Sequence, residues 1–539
     1  MSAPEIDVLV LGGGLSGLTA ALHLRRLLPE ARIAVLERRA GLAPEAIHKV
    51  GESTVEIGAH YFGHTLGLES HLRERHLRKF GFRFFSSDRH DSIDDVQEVG
   101  VSRYLSVPSY QIDRGIFENH LGEHARSSGI EVVSGAVIEA IDLGTDDALH
   151  VVSVRRHDAV ERLASRWIID ASGRAGLLKR KLGLAESTGH PTNAVWFRVP
   201  VRIDVDDWSK DSQWLERCEH RQRWRSTNHL IGDGYWVWLI PLSSGYHSVG
   251  IVADASAHPL DRMNSFARAM DWLRVHQPRL AQALVEADAK PADFAFLRHF
   301  SYGCREVFSR DRWAITGEAG VFLDPFYSPG SDFIAIANTY IADLVRRDLA
   351  GDRIGPYVTL YSQLFRSFYE STLTLYRGQY GVFAHPGALS IKVIWDYTYY
   401  WGVLCQLFFQ DRLTDLRMLG RVREDLLSSR ALNDAAQPFL RRLAADTPPH
   451  NPRVLLDQAA LPWFDDLNRS LTIQLDDAGF IERIQASRVL LESLAIEMAS
   501  RAIKADPSIA LWPETIAMLE RASDLPTADG QLLAYPLAS

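Results

Sequence analysis

The chain has 539 residues, 46% apolar and 24% charged, an ordinary globular balance with core enough for about two to four structural units. Its formal net charge of −9 argues against general nucleic-acid binding, which needs a basic face. Three cysteines, Cys218, Cys304 and Cys405, lie far apart without CxxC spacing, which argues against a disulfide framework or a zinc site and fits a reducing cytoplasm. The opening MSAPEID enters a strand at once, so no signal peptide is expected. No run of about 18 uncharged apolar residues predicts a membrane span. No repeat or low-complexity tract is visible, and no metal site is expected.

The chain is organised around Val8–Gly17, VLVLGGGLSG. Val8, Val10 and Leu11 read as a buried parallel strand, apolar on both faces. The strand ends in Gly12-x-Gly14-x-x-Gly17 and flows into a helix-like segment, Leu18–Leu28. Such glycines permit a tight turn, close approach of backbone to a pyrophosphate, and helix–strand packing. The first helix amides are unpaired and face that phosphate. Arg32–Glu37 is a second strand, and Glu37 at its end suits a ribose hydroxyl. Strand, turn, helix and acid at this spacing predict a dinucleotide site.

Gly41–Gly51 is loop-like, and Val50-Gly51-Glu52-Ser53-Thr54 opens a helical pattern that Ser53 or Thr54 could cap. That helix start either is structural or turns its amides towards the cofactor. His71–Lys79 is basic and reads as helical, running into the alternating strand pattern Phe80–Phe85 and leaving Lys79 at a helix-to-strand junction. Asp88–Glu98 carries five acids beside one arginine and one histidine, and reads as an exposed loop. Tyr110–Leu121 is a strand end and a helix, on which Arg114 either faces a phosphate or makes a helix-start ion pair. Ile130–Glu139 and Leu149–Val154 suggest a small sheet. Trp167–Asp170 is another strand, ending in Asp170-Ala171-Ser172-Gly173 near the nucleotide. Asn193–Ile203, Tyr235–Ile240 and His247–Val252 have strand character, the last two joined by the hairpin signal Ser243-Ser244-Gly245. Asp211–Arg225 between them is an aromatic, charged helix or loop. Arg312–Thr316 is a strand ending in Gly317-Glu318-Ala319-Gly320, and Gly330–Leu349 is a long helix whose first amides could reach a cofactor ring or an anion. From Ser362 the chain is helical in period. The fold class is therefore α/β: a Rossmann-like binding domain over 1–350, with inserted antiparallel-sheet, substrate-binding segments at about 85–110 and 185–305, and a mainly helical region over 351–539.

GxGxxG with Glu37, the Asp170–Gly173 segment and Gly317–Gly320 together resemble the FAD-dependent monooxygenase superfamily. There the third motif usually reads Gly-Asp; here Glu318 stands in the acid position. Trp236-x-Trp238-x-Ile240-Pro241 resembles the WxWxIP signature of flavin-dependent halogenases, with both indoles on one strand face. Lys79-Phe80-Gly81-Phe82-Arg83-Phe84, downstream of Gly51-Glu52-Ser53-Thr54, resembles the setting of that family's catalytic lysine. The resemblance implies FAD held along Gly12, Gly14, Gly17, Glu37, Arg114, Asp170 and Glu318. It implies FADH2 supplied by a partner flavin reductase, O2, and a halide, bromide or chloride, oxidised to hypohalous acid that travels to Lys79. The tryptophan wall, with Ile240, Pro241 and Tyr327 lining the substrate path, would keep substrate from the flavin. Burial suits such a lysine, because it lowers the pKa and can expose an amine.

Two departures follow. Asp324-Pro325-Phe326-Tyr327-Ser328-Pro329-Gly330 puts Tyr327 where tryptophan halogenases carry a basic glutamate, so an already electron-rich ring is expected: a phenol or pyrrole, free or carrier-bound. The halide site would comprise Ser328, Gly330 and Ser331, and Pro329 removes one amide donor from it. The alternative is a halogenase-like FAD monooxygenase or reductase that does not halogenate. A third option, from another class, is a flavin-binding partner protein that docks through Tyr397–Trp401.

Overall fold

The structure, a computed structural model, describes residues 6–45, 49–86, 92–157, 159–449, 454–522 and 532. The chain divides into two compact units. The first comprises Met1–His76, Ile112–Thr188 and Ser301–Tyr369; the second comprises Leu77–Gln111, Gly189–Phe300 and Glu370–Ser539.

The first unit is built on a sheet of seven strands among the described residues. Ile6–Leu11 pairs in parallel with Ile33–Glu37 on one side and with the end of Ala159–Asp170 on the other. Glu131–Ser134 extends the sheet beyond Ile33–Glu37, and Trp313–Ile315 pairs in parallel with Ile168–Asp170. These central strands are buried on both faces, as their unbroken apolar runs require. Ala159–Asp170 is longer than expected. Its first half leaves the parallel layer and pairs antiparallel with His150–Arg156, which pairs in turn with Val137–Asp142. The expected small sheet is thus an extension of the main one. Helix Leu15–Leu27 follows the glycine turn, and Gly330–Leu349 is a 20-residue helix as expected.

The second unit holds an eight-stranded sheet among the described residues. The hairpin Tyr235–Pro241 with His247–Asp254 forms as the turn signal predicts, in register from Tyr235↔Ala253 to Pro241↔His247. Thr192–Val199 and Thr227–Gly232 flank it, and Phe82–Ser86 joins Thr227–Gly232 in parallel. One face buries Phe85, Leu230, Val237, Leu239, Val249 and Ile251 against the helices of residues 266–286. The region from Pro386 is mainly helical, including Pro386–Tyr399, Arg423–Asp446 and Asp477–Ala505, while Leu455–Asp457 adds a strand to the sheet beside Glu98–Gly100.

Four local expectations are corrected. The helix expected over His71–Lys79 is Glu69–Arg75; His76 is extended, and Leu77–Arg78 is a short strand paired with Tyr110–Gln111. Neither Ser53 nor Thr54 caps a helix: Val55 is the N-cap, and only Glu56–His60 is α-helical before a π-helical turn at Tyr61–Thr65. The Asp88–Glu98 stretch is not simply an exposed loop. Residues 88–91 lie outside the described residues, but Glu98 is fully buried and begins a strand, Glu98–Gly100. Residues Tyr397 and Trp401, read as a possible contact patch, are buried against Phe464. The three cysteines are free thiols. No helix among the described residues is long and apolar enough to cross a membrane.

Candidate functional site

In the first unit the glycines act as the fingerprint requires. Gly12 has φ +121°, a conformation open to glycine, and a Cβ there would run into the Ala171 carbonyl. A Cβ on Gly17 would meet the Gly12 carbonyl oxygen, so the third glycine lets the helix pack on the turn. Gly14 is the N-cap of Leu15–Leu27, with no side-chain cap and no acid in the first turn. The leading amides are left to an anion. Glu37 packs beneath the turn: Gly13 N donates to Glu37 Oε2 at 2.9 Å, and Arg39 N to Oε1 at 2.8 Å.

Asp170 ends its strand with both carboxylate oxygens accepting from backbone amides. Ser172 N donates to Oδ1 at 3.0 Å and Leu178 N to Oδ2 at 2.7 Å. Burial pushes its carboxyl above the usual range. Its carboxylate therefore shapes the loop after the strand. Arg114 makes the helix ion pair, to Glu118 at 2.6 Å, and also donates to Val50 O at 2.6 Å. Glu118 takes a second cation, Lys49, at 2.6 Å. Burial would raise the Glu118 carboxyl, but Arg114 and Lys49 overcome it and hold it low. Lys49 is a residue that sequence reasoning missed. Its Nζ lies 3.5 Å from where a Cβ on Gly14 would stand, so it leans over the phosphate turn. Its only sequence signal is its place just before Val50-Gly51. Glu318 is half-buried, with Arg174 at 3.9 Å; Arg174, Arg114, Lys49 and Lys179 all act on its charge. A glycine cradle with uncapped amides and a ring of cations fits a dinucleotide diphosphate.

Tyr327 closes a short turn, with its ring edge-on to Phe326 at 4.9 Å. Ser328 has φ +50°, and Pro329 is the N-cap of Gly330–Leu349. The Ser331 hydroxyl is buried in the first turn and has no hydrogen-bond partner among the described residues. Asp332, in the same turn, accepts from Gly58 N at 2.8 Å.

In the second unit, Lys79 is 4% exposed and its Nζ sits 3.3 Å from the centroid of the Phe82 ring. The chain reaches this position through Gly81 at φ +65°, where a Cβ would press on Val101 at 3.2 Å. Lys79 N donates to Ser109 O at 2.8 Å. On the strand, Trp236 and Trp238 fall on one face as alternation demands, with ring centroids 5.8 Å apart. The Trp236 indole donates to the Tyr380 hydroxyl at 3.3 Å, and Trp238 to Ser248 Oγ at 3.1 Å. Trp238 packs directly on Gly250, its cross-strand partner, where any Cβ would land on the indole. Between the tryptophans and Lys79 stands His229, buried, 5.1 Å from Trp236, stacked on Phe84 at 4.7 Å and 5.4 Å from Phe82. Lys79, Phe82, His229 and the two indoles thus form one continuous aromatic face. Ile240 shares that face by parity. Pro241 does not: it pairs with His247 at the strand end and turns to the other side.

A family of proteins described as FAD binding domain matches residues 5–296. The chain belongs to the FAD binding domain family. It is also similar to flavin-dependent halogenase chlA of Dictyostelium discoideum, 26% identical over 468 residues, covering 78% of this chain and 76% of the relative. A 1H-pyrrole-2-carbonyl-[peptidyl-carrier protein] chlorinase of Pseudomonas fluorescens is 25% identical over 401 residues, covering 70% of this chain and 85% of that protein. Among solved structures, halogenase PltM in complex with phloroglucinol and FAD matches with a TM-score of 0.66 at 17% identity, covering 89% of this chain and 96% of PltM. That likeness shows the fold. The expected resemblance to flavin-dependent halogenases is borne out, and FAD is the cofactor of this flavoprotein family.

Proposed function

We propose that this flavoprotein is an FAD-dependent halogenase of electron-rich aromatic rings, phenols or pyrroles, free or carrier-bound, working with a separate flavin reductase. The observation that carries this is Lys79: an ammonium taken out of water and set on an aromatic face shared with Trp236 and Trp238. A buried lysine needs compensation, and the Phe82 ring supplies part of it through cation–π attraction. Bound FAD, once reduced, supplies with O2 the oxidising power that turns halide into hypohalous acid. The chain's own groups do the rest. Gly12–Gly17, Lys49 and Arg114 hold the diphosphate. The Lys79 Nζ donates a hydrogen bond to hypohalous acid and fixes its halogen atom. The Phe82–His229–Trp236 face orients a flat ring and excludes water, which protects the electrophile from wasteful transfer. The relatives support both substrate forms: PltM binds phloroglucinol and the Pseudomonas relative acts on a carrier-bound pyrrole. Halide would take the Gly330 and Ser331 amides and the Ser331 hydroxyl.

A flavoprotein that inserts oxygen and not halogen is favoured by one feature. Pro329 offers no N–H at the N-cap, and the Asp332 carboxylate occupies the same turn. One experiment decides between them. The protein is incubated with FAD, a flavin reductase, NADH, bromide or chloride, and a panel of phenols, and products are read by mass. Halogen incorporation is expected; oxygen incorporation alone overturns the assignment.

A further inference from the structure

The lysine motif contains an arginine that the chemistry above leaves without a role. Arg83 is fully buried, and by strand alternation it points away from the face carrying Phe82 and Phe84. It cannot touch an aromatic substrate there. Instead it enters a buried ion cluster. Its Nη1 pairs with Glu98 Oε1, its Nη2 donates to Val101 O, and its Nε donates to Ser226 Oγ at 3.4 Å. Glu98 also binds Arg223, at 2.7 Å, and Arg223 continues to Asp206 at 2.8 Å and to Trp214 O at 2.7 Å. The Arg223 guanidinium lies 3.8 Å over the Trp214 ring. Burial would raise the Glu98 carboxyl, but Arg83 and Arg223 override it and keep it ionised.

Buried ion clusters are poor stabilisers, since apolar groups of equal volume often do as well or better. This one has a geometric consequence. Lys79 hangs on the short arm Phe80–Gly81–Phe82 that ends at Arg83. The arm is bolted to the Arg225–Thr227 segment. Phe80 N donates to Arg225 O at 3.1 Å, Thr227 N donates to Gly81 O at 3.1 Å, and Ser226 Oγ donates to Phe80 O at 2.8 Å. Glu98 grips both sides of that junction, Arg83 at the end of the arm and Arg223 at the entry to its anchor.

Resting on the halogenase assignment above, we propose that Arg83 is a positioning residue. Through Glu98 and Arg223 it holds the Lys79 arm so that Nζ stays centred on the Phe82 ring. The Glu98→Gln variant keeps the shape and removes the charge that joins the two arginines. FAD affinity and the rate of O2 consumption with reductase, NADH and bromide are expected to stay at wild-type values. Brominated phenol per O2 is expected to fall roughly tenfold to a hundredfold, as for a misplacement of about 1 Å at a reacting group. The missing equivalents should appear as hypobromite captured by monochlorodimedone, or as peroxide. Ser226→Ala keeps all the charges and removes two neutral links, the hydroxyl's bond to Phe80 O and its acceptance from Arg83 Nε. It should lower the same ratio by a smaller factor, and it decides the matter if Glu98→Gln does not fold. A lowered melting temperature with a wild-type product-to-O2 ratio in the folded variants would mean that the cluster is structural only, and would overturn the proposal. Lys79→Ala is run beside them. If it retains product, the assignment of Lys79 is what fails; if it loses product while Glu98→Gln and Ser226→Ala keep it, only the role of Arg83 fails.

Discussion

Replacing Gly14 by valine separates cofactor binding from folding, because of what surrounds that glycine. Its φ is −87°, which any residue adopts, and the nearest described atom to an added Cβ is Lys49 Nζ at 3.5 Å. An added Cβ there meets only Lys49 Nζ, but valine is a poorer helix N-cap than glycine, so the apoprotein should lose about 1 kcal/mol of stability and still fold. The new methyls would fill the space over the helix amides, where a diphosphate must approach. Each charge-assisted amide–phosphate bond is worth about 1.5–3 kcal/mol, so losing two weakens FAD by about 3–6 kcal/mol, a factor of roughly a hundred to ten thousand. Gly17→Ala is the contrasting control. Its methyl would run into the Gly12 carbonyl oxygen, and overpacking of that kind costs about 1–3 kcal/mol of stability. FAD titration by quenching of flavin fluorescence gives the affinities, and thermal unfolding of the apoproteins gives the stabilities. A Gly14→Val protein that is purified yellow with unchanged FAD affinity, or that unfolds several degrees lower than wild type without cofactor, would overturn the placement of the diphosphate over Gly14.

Further outcomes follow from the same geometry. Lys79→Ala should bind FAD and consume O2 at wild-type rates while halogenated product drops below detection by mass spectrometry. Gly250→Ala should push the Trp238 indole off its cross-strand seat and cost about 2–4 kcal/mol, from overpacking plus the loss of the bond to Ser248, read as a shift in the urea midpoint. Pro329→Ser should restore an amide donor, and the halide concentration for half-maximal product should fall roughly tenfold or more, with chloride gaining most; no shift in halide dependence means that the proline is harmless. Acid should destabilise the fold. Burial lowers His247 to about 3, His76 to about 3 and His23 to about 4, Arg202, His71 and Arg26 respectively adding to it. Below the unfolded value near 6.5 the unfolded chain takes up protons that the folded chain refuses. Stability then falls as pH drops from about 6.5 towards 4, by up to about 1.4 kcal/mol per pH unit per histidine. Urea melts between pH 7 and 4.5 check this, and His247→Gln should flatten the slope.

Features that depend on neighbours along the chain could be read from the residues alone. The glycine turn and its uncapped helix, the hairpin of Tyr235–Pro241 with His247–Asp254, and the helix Gly330–Leu349 were all legible, because turn chemistry and side-chain period are local properties. The pairing of Trp236 with Trp238 on one face followed from parity alone. What an ionised side chain does was not legible, because it depends on which groups long-range folding brings to it. Glu98 read as one acid among five in a solvated loop, yet it is buried between Arg83, 15 residues away, and Arg223, 125 residues away. Lys49 carried no motif and gained its place over Gly14 only when Glu118, 69 residues on, drew its ammonium across the turn. Asp170 stood in a nucleotide motif, and the backbone amides that folding presents to it turned its carboxylate inward. Lys79 was recognisable from its motif, but its burial on the Phe82 ring was decided by the left-handed turn at Gly81 and by pairing with Ser109 and Arg225. Desolvation and Coulomb attraction act through space, and only the assembled sheet sets those distances.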